Sequence, residues 1–236
     1  VSDEISNDLP LLMRFNRQGL LAEIEKNQSR LANLSGKNKK LVEDLMLITN
    51  QLSSKNNKNK NPRNLLIKKK NLEKKLYKVL PKLKPKIVQI DEVYKRIPDN
   101  GILIEFQKYR PYENKEVYAK AYERINYLAS IIDSKGTIKN IDLGEAKRID
   151  ELIKKGLKAS EESLSDTQDI MDEISAKLIN PIQNQIINSE IIIISPDHEL
   201  NRIPFATLRS PKSTNFLNED YELRLVTTGR ELIEIE

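Results

Sequence analysis

Cysteine and tryptophan are absent from the 236 residues, and histidine occurs once, as His198. The first absence excludes disulfides, zinc–thiolate sites and any thiol nucleophile within the sequence. Without tryptophan, and with aromatic residues at 5%, the core must be built mainly from Ile, Leu and Val. A single histidine makes a poor metal site, because carboxylates would have to supply every other ligand. Seven scattered glycines provide neither a dinucleotide fingerprint nor a phosphate-binding loop. No apolar run approaches the length of a membrane span, and no signal-peptide core opens the chain. A cytoplasmic protein without membrane contact is the expectation. The sequence opens on Val1, which suggests a piece of something longer.

Hydrophobic residues make up 38% and charged residues 32% of the chain, which is polar but not disordered by composition. The net charge of +5 is unevenly spread. Residues 1–95 carry 21 Lys and Arg against 10 Asp and Glu; the remainder carries 19 against 25. That shift predicts two units, a helical arm over residues 1–96 and an α/β part over 97–236.

Helical spacing marks the arm. In "LPLLMRFNRQGLLAEIEKNQSRLAN" the apolar residues Leu12, Phe15, Leu20, Ile24 and Leu31 recur at roughly one turn. "KLVEDLMLITNQLSS" offers Leu41, Leu45, Ile48 and Leu52 as a stripe, and Leu65, Leu72, Leu76 and Leu80 form another over a lysine-rich face. The loop from Ser53 to Asn64 separates these two, and Pro81 and Pro85 end the second. Two of the three helices are long enough to pair as an antiparallel hairpin.

After "IDEVYKRIPDN" the period changes. "GILIEFQKYRPY" alternates as a strand, with Ile102, Ile104 and Phe106 on one face. "YLASIIDSKGTIKNIDLG" reads as a hairpin whose Gly136 supplies the positive φ of a tight turn. "EAKRIDELIKKGLKAS" is an amphipathic helix carrying Ile149, Leu152, Ile153 and Leu157. A second helix opens on a Ser165/Asp166 cap and is cut near Pro181. "IIIISPDHELNRIPFATL" gives a buried strand followed by a polar turn, and "YELRLVTTGRELI" gives a strand running into a helix start. This alternation is an α/β sheet, with α+β character at its start.

The candidate functional residues are few. His198 follows a strand end, where α/β enzymes often place a catalytic group. It lacks a cysteine partner, and Ser195 stands before Pro196 without the glycine-flanked elbow that presents a serine nucleophile. His198 is therefore expected to be a turn residue. The segment Lys55–Lys86 carries 13 basic residues against Glu73 alone. Tyr77 is its one aromatic residue, so stacking on single-stranded nucleic acid is not indicated. "TTGRELI" could offer backbone N–H groups to an anion, though packing explains it as well. The acidic clusters "SEESLSD" and "LNEDYEL" lack metal-loop spacing. No catalytic, cofactor-binding or metal position is assigned, and no cofactor is expected.

In order along the chain, "LLMRFNRQGLLAEIEKNQSRLANLSG", "IPDNGILIEFQKYRPY", "YLASIIDSKGTIKNIDLGEAKRIDELI", "IIIISPDHELNRIPFATL" and "YELRLVTTGREL" resemble the first half of a CHAT domain. That caspase-like module is usually found after tetratricopeptide repeats in bacteria, cyanobacteria especially. The resemblance implies a clan of cysteine peptidases, with caspases and separases, that carries a His–Cys dyad on a doubly wound sheet. It implies that both dyad residues lie beyond T–G–R–E–L and outside this sequence, and that His198 stands where the family usually has a small turn residue, often glycine. The expected role is then a non-catalytic half that scaffolds the His–Cys half and joins it to upstream repeats. Expected partners are the missing catalytic half, those repeats or a second copy. The alternative is a protein- or nucleic-acid-binding module acting through the basic arm, with nucleic acid the less favoured ligand.

Overall fold

The computed structural model describes residues 8–16, 36–53, 62–79, 87–111 and 124–233. The β-rich segments form one five-stranded sheet: β1 (Gly101–Tyr109), β2 (Asn126–Asp133), β3 (Ile138–Glu145), β4 (Ile191–Ser195) and β5 (Glu222–Leu225). Their order is β3-β2-β1-β4-β5. The first three pair antiparallel, whereas β1, β4 and β5 run parallel. The expected α/β architecture is present, with a mixed sheet. The turn between β2 and β3 contains Gly136 at φ +83°. Asp133 closes that turn by accepting the N–H groups of Lys135 and Thr137 on its carboxylate.

Both faces of the sheet are covered. On one, Ile102, Ile104 and Phe106 of β1 and Ile192 and Ile194 of β4 pack with residues of α5 (Ala146–Glu161) and α6 (Thr167–Leu178). On the other, Leu103, Ile132, Ile191 and Ile193 meet Leu11 and Phe15 of the helical stretch 8–16, called α1. Val93 of the short helix α4 (Ile90–Tyr94) and Leu232 complete that face. A strand buried on both faces reads as a continuous apolar run, which is why four consecutive isoleucines suit β4. Each such side chain contributes about 1.5–3 kcal/mol of burial.

α5 forms where its periodicity predicted, with Ile149 and Ile153 buried and Leu152 and Leu157 packed at the margin. The start of α6 differs from expectation in detail. Asp166 occupies the cap position without a side-chain capping bond, and Thr167 Oγ1 instead donates to the Leu164 carbonyl. α6 ends at Leu178, just before the 3-10 turn Asn180–Ile182 that contains Pro181.

The chain divides into two compact units, one of residues Val1–Gly19 with Val88–Glu236 and one of Leu20–Ile87. Phe15, which helical spacing placed in the arm, lies fully buried in the core of the sheet unit together with Leu11, whereas Leu12 of the same stripe is only half-buried. Asn16 ties α1 to the returning chain. Its amide donates to the Val88 carbonyl at 2.9 Å, and its carbonyl accepts the Val88 N–H at 2.8 Å. In the second unit α2 (Gly36–Ser53) and α3 (Pro62–Val79) form the hairpin, with Val42 against Leu76 and Leu41 and Leu45 beside them. Leu20, Ile24, Leu31, Leu80, Pro81, Pro85 and most of the Ser53–Asn64 loop lie outside the described residues.

Candidate functional site

The carboxyl ends of β1, β4 and β5 lie side by side, the edge at which open α/β sheets place ligands and catalytic groups. A buried charge cluster fills the interior there. Arg14 of α1 donates from Nε to Glu105 Oε2 at 2.9 Å, and both side chains are buried. From Nη2 it donates to Ser195 Oγ at 3.1 Å and to the Pro196 carbonyl at 2.8 Å. Its Nη1 lies 3.3 Å from Asp197 Oδ1. Asp197 also accepts the Lys108 N–H through Oδ2 at 3.0 Å. One guanidinium thus ties α1, β1 and the turn after β4 into a single knot.

Gly229 closes the knot from the other side by donating its N–H to Glu105 Oε1. A Cβ at this position would lie 2.4 Å from Leu103 Cδ2 and 3.1 Å from Glu105 Oε1, so only glycine brings the backbone this close. Glu231 accepts the Thr227 N–H at 3.0 Å and shapes the same turn. The T–G–R–E–L segment is therefore a packing motif that delivers one N–H to a buried carboxylate. Burial pushes the Glu105 carboxyl above its usual range; Arg14, Ser195 and Gly229 pull in the opposite direction.

Beside the knot, Lys108 Nζ sits 2.6 Å from Asp150 Oδ2 and 5.0 Å from the centre of the Tyr127 ring. Tyr127 donates its hydroxyl to Asp150 Oδ1 at 2.8 Å. Burial, then the hydrogen bond and charge of Asp150, push the Tyr127 phenol far up, so it stays a donor.

The sequence-selected residues can be placed. Ser195 is buried, its hydroxyl accepting from Arg14 and donating to the Thr227 carbonyl at 2.9 Å. With its proton committed to a backbone carbonyl, it is not poised as a nucleophile. His198 has φ +49°, the left-handed conformation that glycine adopts most easily. Its Nδ1 lies 2.9 Å from Asp197 Oδ1, while the side chain is 54% exposed. The turn reading of His198 agrees with this backbone. Among the described residues no group of three or more His, Cys, Asp or Glu could hold a metal ion. No helix among them is long and apolar enough to cross a membrane.

Arg14, Glu105 and Asp197 were not singled out from sequence, whereas Gly229 lies in the "TTGRELI" segment, whose N–H does meet an anion, the buried Glu105 carboxylate. Two signals were visible: "ILIEF" sets one carboxylate inside an apolar strand, and "LLMRF" sets one arginine inside an apolar helical run. Buried charges of opposite sign seek each other, because neither is tolerated unpaired.

No curated protein matches this chain. The match to known families spans α6, β4, the Arg14-binding turn, β5 and the T–G–R–E–L segment: residues 168–236 fit the family model of the CHAT domain.

Proposed function

We propose that the sheet unit is the non-catalytic, amino-terminal part of a caspase-like domain. In this role it scaffolds a His–Cys half and joins that half to upstream repeats. A CHAT domain is peptidase-related, and the match over 168–236 supports that setting. The observation that carries the reading is the chemistry at the carboxyl ends of the parallel strands. Among the described residues there, Arg14, Glu105 and Ser195 are used to hold the fold, and the sequence has no cysteine to act as nucleophile. A second observation agrees. Among the described residues β5 pairs with β4 on one side only, and Leu225 on it is 65% exposed. An unpaired strand edge is a template for another strand.

The test has two arms. Peptides with basic or acidic residues before the scissile bond should be left intact by the chain alone, and turnover lost in His198→Ala would overturn the reading. Light scattering over a concentration series should show association, weakened by Leu225→Lys. A strictly monomeric chain that binds no hydrophobic dye would remove the argument from the β5 edge.

A further inference from the structure

The α2–α3 hairpin holds a surface that the sheet unit's chemistry does not use. Between the helices runs a groove of about 420 Å³. Asp44, Leu47, Ile48 and Gln51 line one wall, at positions i, i+3, i+4 and i+7 of α2. Lys68, Asn71, Leu72 and Lys75 line the other, with the same spacing on α3. Each wall therefore presents two helical turns, with Leu47, Ile48 and Leu72 as the apolar floor and the lysines at the rim.

This hairpin buries little of itself. Among its described side chains only Val42 and Leu76 are buried, whereas Leu47 is 60%, Leu66 55% and Ile67 58% exposed. Of these, Leu47 lines the groove with Ile48 and Leu72, and apolar surface set in a groove on a basic element marks an interaction site. α3 carries Lys68, Lys69, Lys70, Lys74, Lys75 and Lys78 against Glu73 alone.

We propose that this groove docks an acidic amphipathic helix of another protein. The apolar floor takes leucine-like anchors spaced i, i+3/i+4 and i+7, the helix-in-groove mode. The lysines of α3 meet carboxylates on one flank of the bound helix, which steers association and sets its orientation. A nucleic-acid backbone would satisfy the lysines but leave Leu47, Ile48 and Leu72 without a partner. A second copy of the same face would set one lysine row against another. An acidic helix satisfies the floor and the α3 rim together, with its carboxylates turned to Lys68 and Lys75 and away from Asp44 on the α2 wall.

The test uses the whole chain and a labelled 15-residue peptide with leucines at i, i+3, i+4 and i+7 and glutamates on the flank that meets α3. Fluorescence anisotropy should show saturable binding that weakens as salt rises. Leu47→Ser should weaken it about tenfold, as loss of a central anchor does. The double variant Lys68→Glu, Lys75→Glu should weaken it similarly and shift preference toward a peptide whose glutamates are replaced by lysines. These positions are rim or exposed sites, and circular dichroism confirms that each variant keeps its helices. Equal binding of a scrambled peptide of the same composition would reduce the effect to bulk charge and overturn the proposal. So would duplex DNA bound through the same lysines with no response to Leu47→Ser, or self-association lost in Leu47→Ser.

Discussion

Arg14 shows what a single side chain must do when it bridges three elements in a buried knot. Removing one partner of a buried ion pair costs about 3–5 kcal/mol, because the other charge stays in a dry interior. Arg14→Met should destabilise the chain by that amount in urea unfolding. The penalty carries a pH signature. Burial already raises the Glu105 carboxyl, and loss of the guanidinium raises it further. A carboxyl with a folded-state pKa above its unfolded one favours folding below the unfolded value, and that contribution is lost as pH rises through the folded value. The deficit of Arg14→Met should therefore be smaller at a pH near the unfolded carboxyl's range than at a higher pH, and Glu105→Gln on that background should flatten the difference. An equal deficit at both pH values would show that Glu105 is not the group left uncompensated. His198 gives a second test at this scale. In the left-handed region a β-branched side chain is an outlier, while glycine is at ease. His198→Gly should change stability by less than about 1 kcal/mol, and His198→Val should cost about 1–2 kcal/mol. The reverse order in thermal melts would contradict the backbone assignment. The turn role of His198 was legible from Ser195, Pro196 and Asp197 around it. The knot was not, because pairing Arg14 with Glu105 spans 91 positions and no local pattern encodes it.

Among the elements, those with a strong period were legible and those held by tertiary contact were not. β4 follows from its isoleucines, α5 from Ile149 and Ile153, and the β2–β3 hairpin from Gly136. Helical spacing marked α1 as a helix, but only the fold shows Leu11 and Phe15 filling the second face of the sheet. The β2–β3 hairpin also depends on a partner that no local rule names. A Cβ on Gly136 would lie 2.9 Å from Tyr94 Cε1, in addition to the strain of φ +83°. Gly136→Ala should thus cost about 1–3 kcal/mol, more than the same change at an open left-handed glycine. Gly144 is that comparison, with φ +87° and no atom within 4 Å of an added Cβ. Equal losses at the two sites in chemical denaturation would mean that Tyr94 moves aside freely.

For the whole molecule, the sheet's composition foretold its class, whereas the charge shift put the division at residue 96 and the compact units are 1–19 with 88–236 and 20–87. What composition could not express is that the sheet unit is discontinuous in sequence, since α1 enters its core before the helical hairpin begins. The clamp between Asn16 and Val88 brings the chain back to where it left. In the language of gene architecture, residues 20–87 are a cassette. A few glycines joining Gly19 to Val88 should span the gap, since a short flexible loop closes at lower entropic cost than a long one. The excised protein should melt cooperatively near the parent's temperature. Loss of its cooperative transition would mean that the sheet unit draws stability from the cassette. If the excision holds, the hairpin could be exchanged for another without rebuilding the sheet, so the groove between α2 and α3 and the knot at Arg14 would be free to diverge independently.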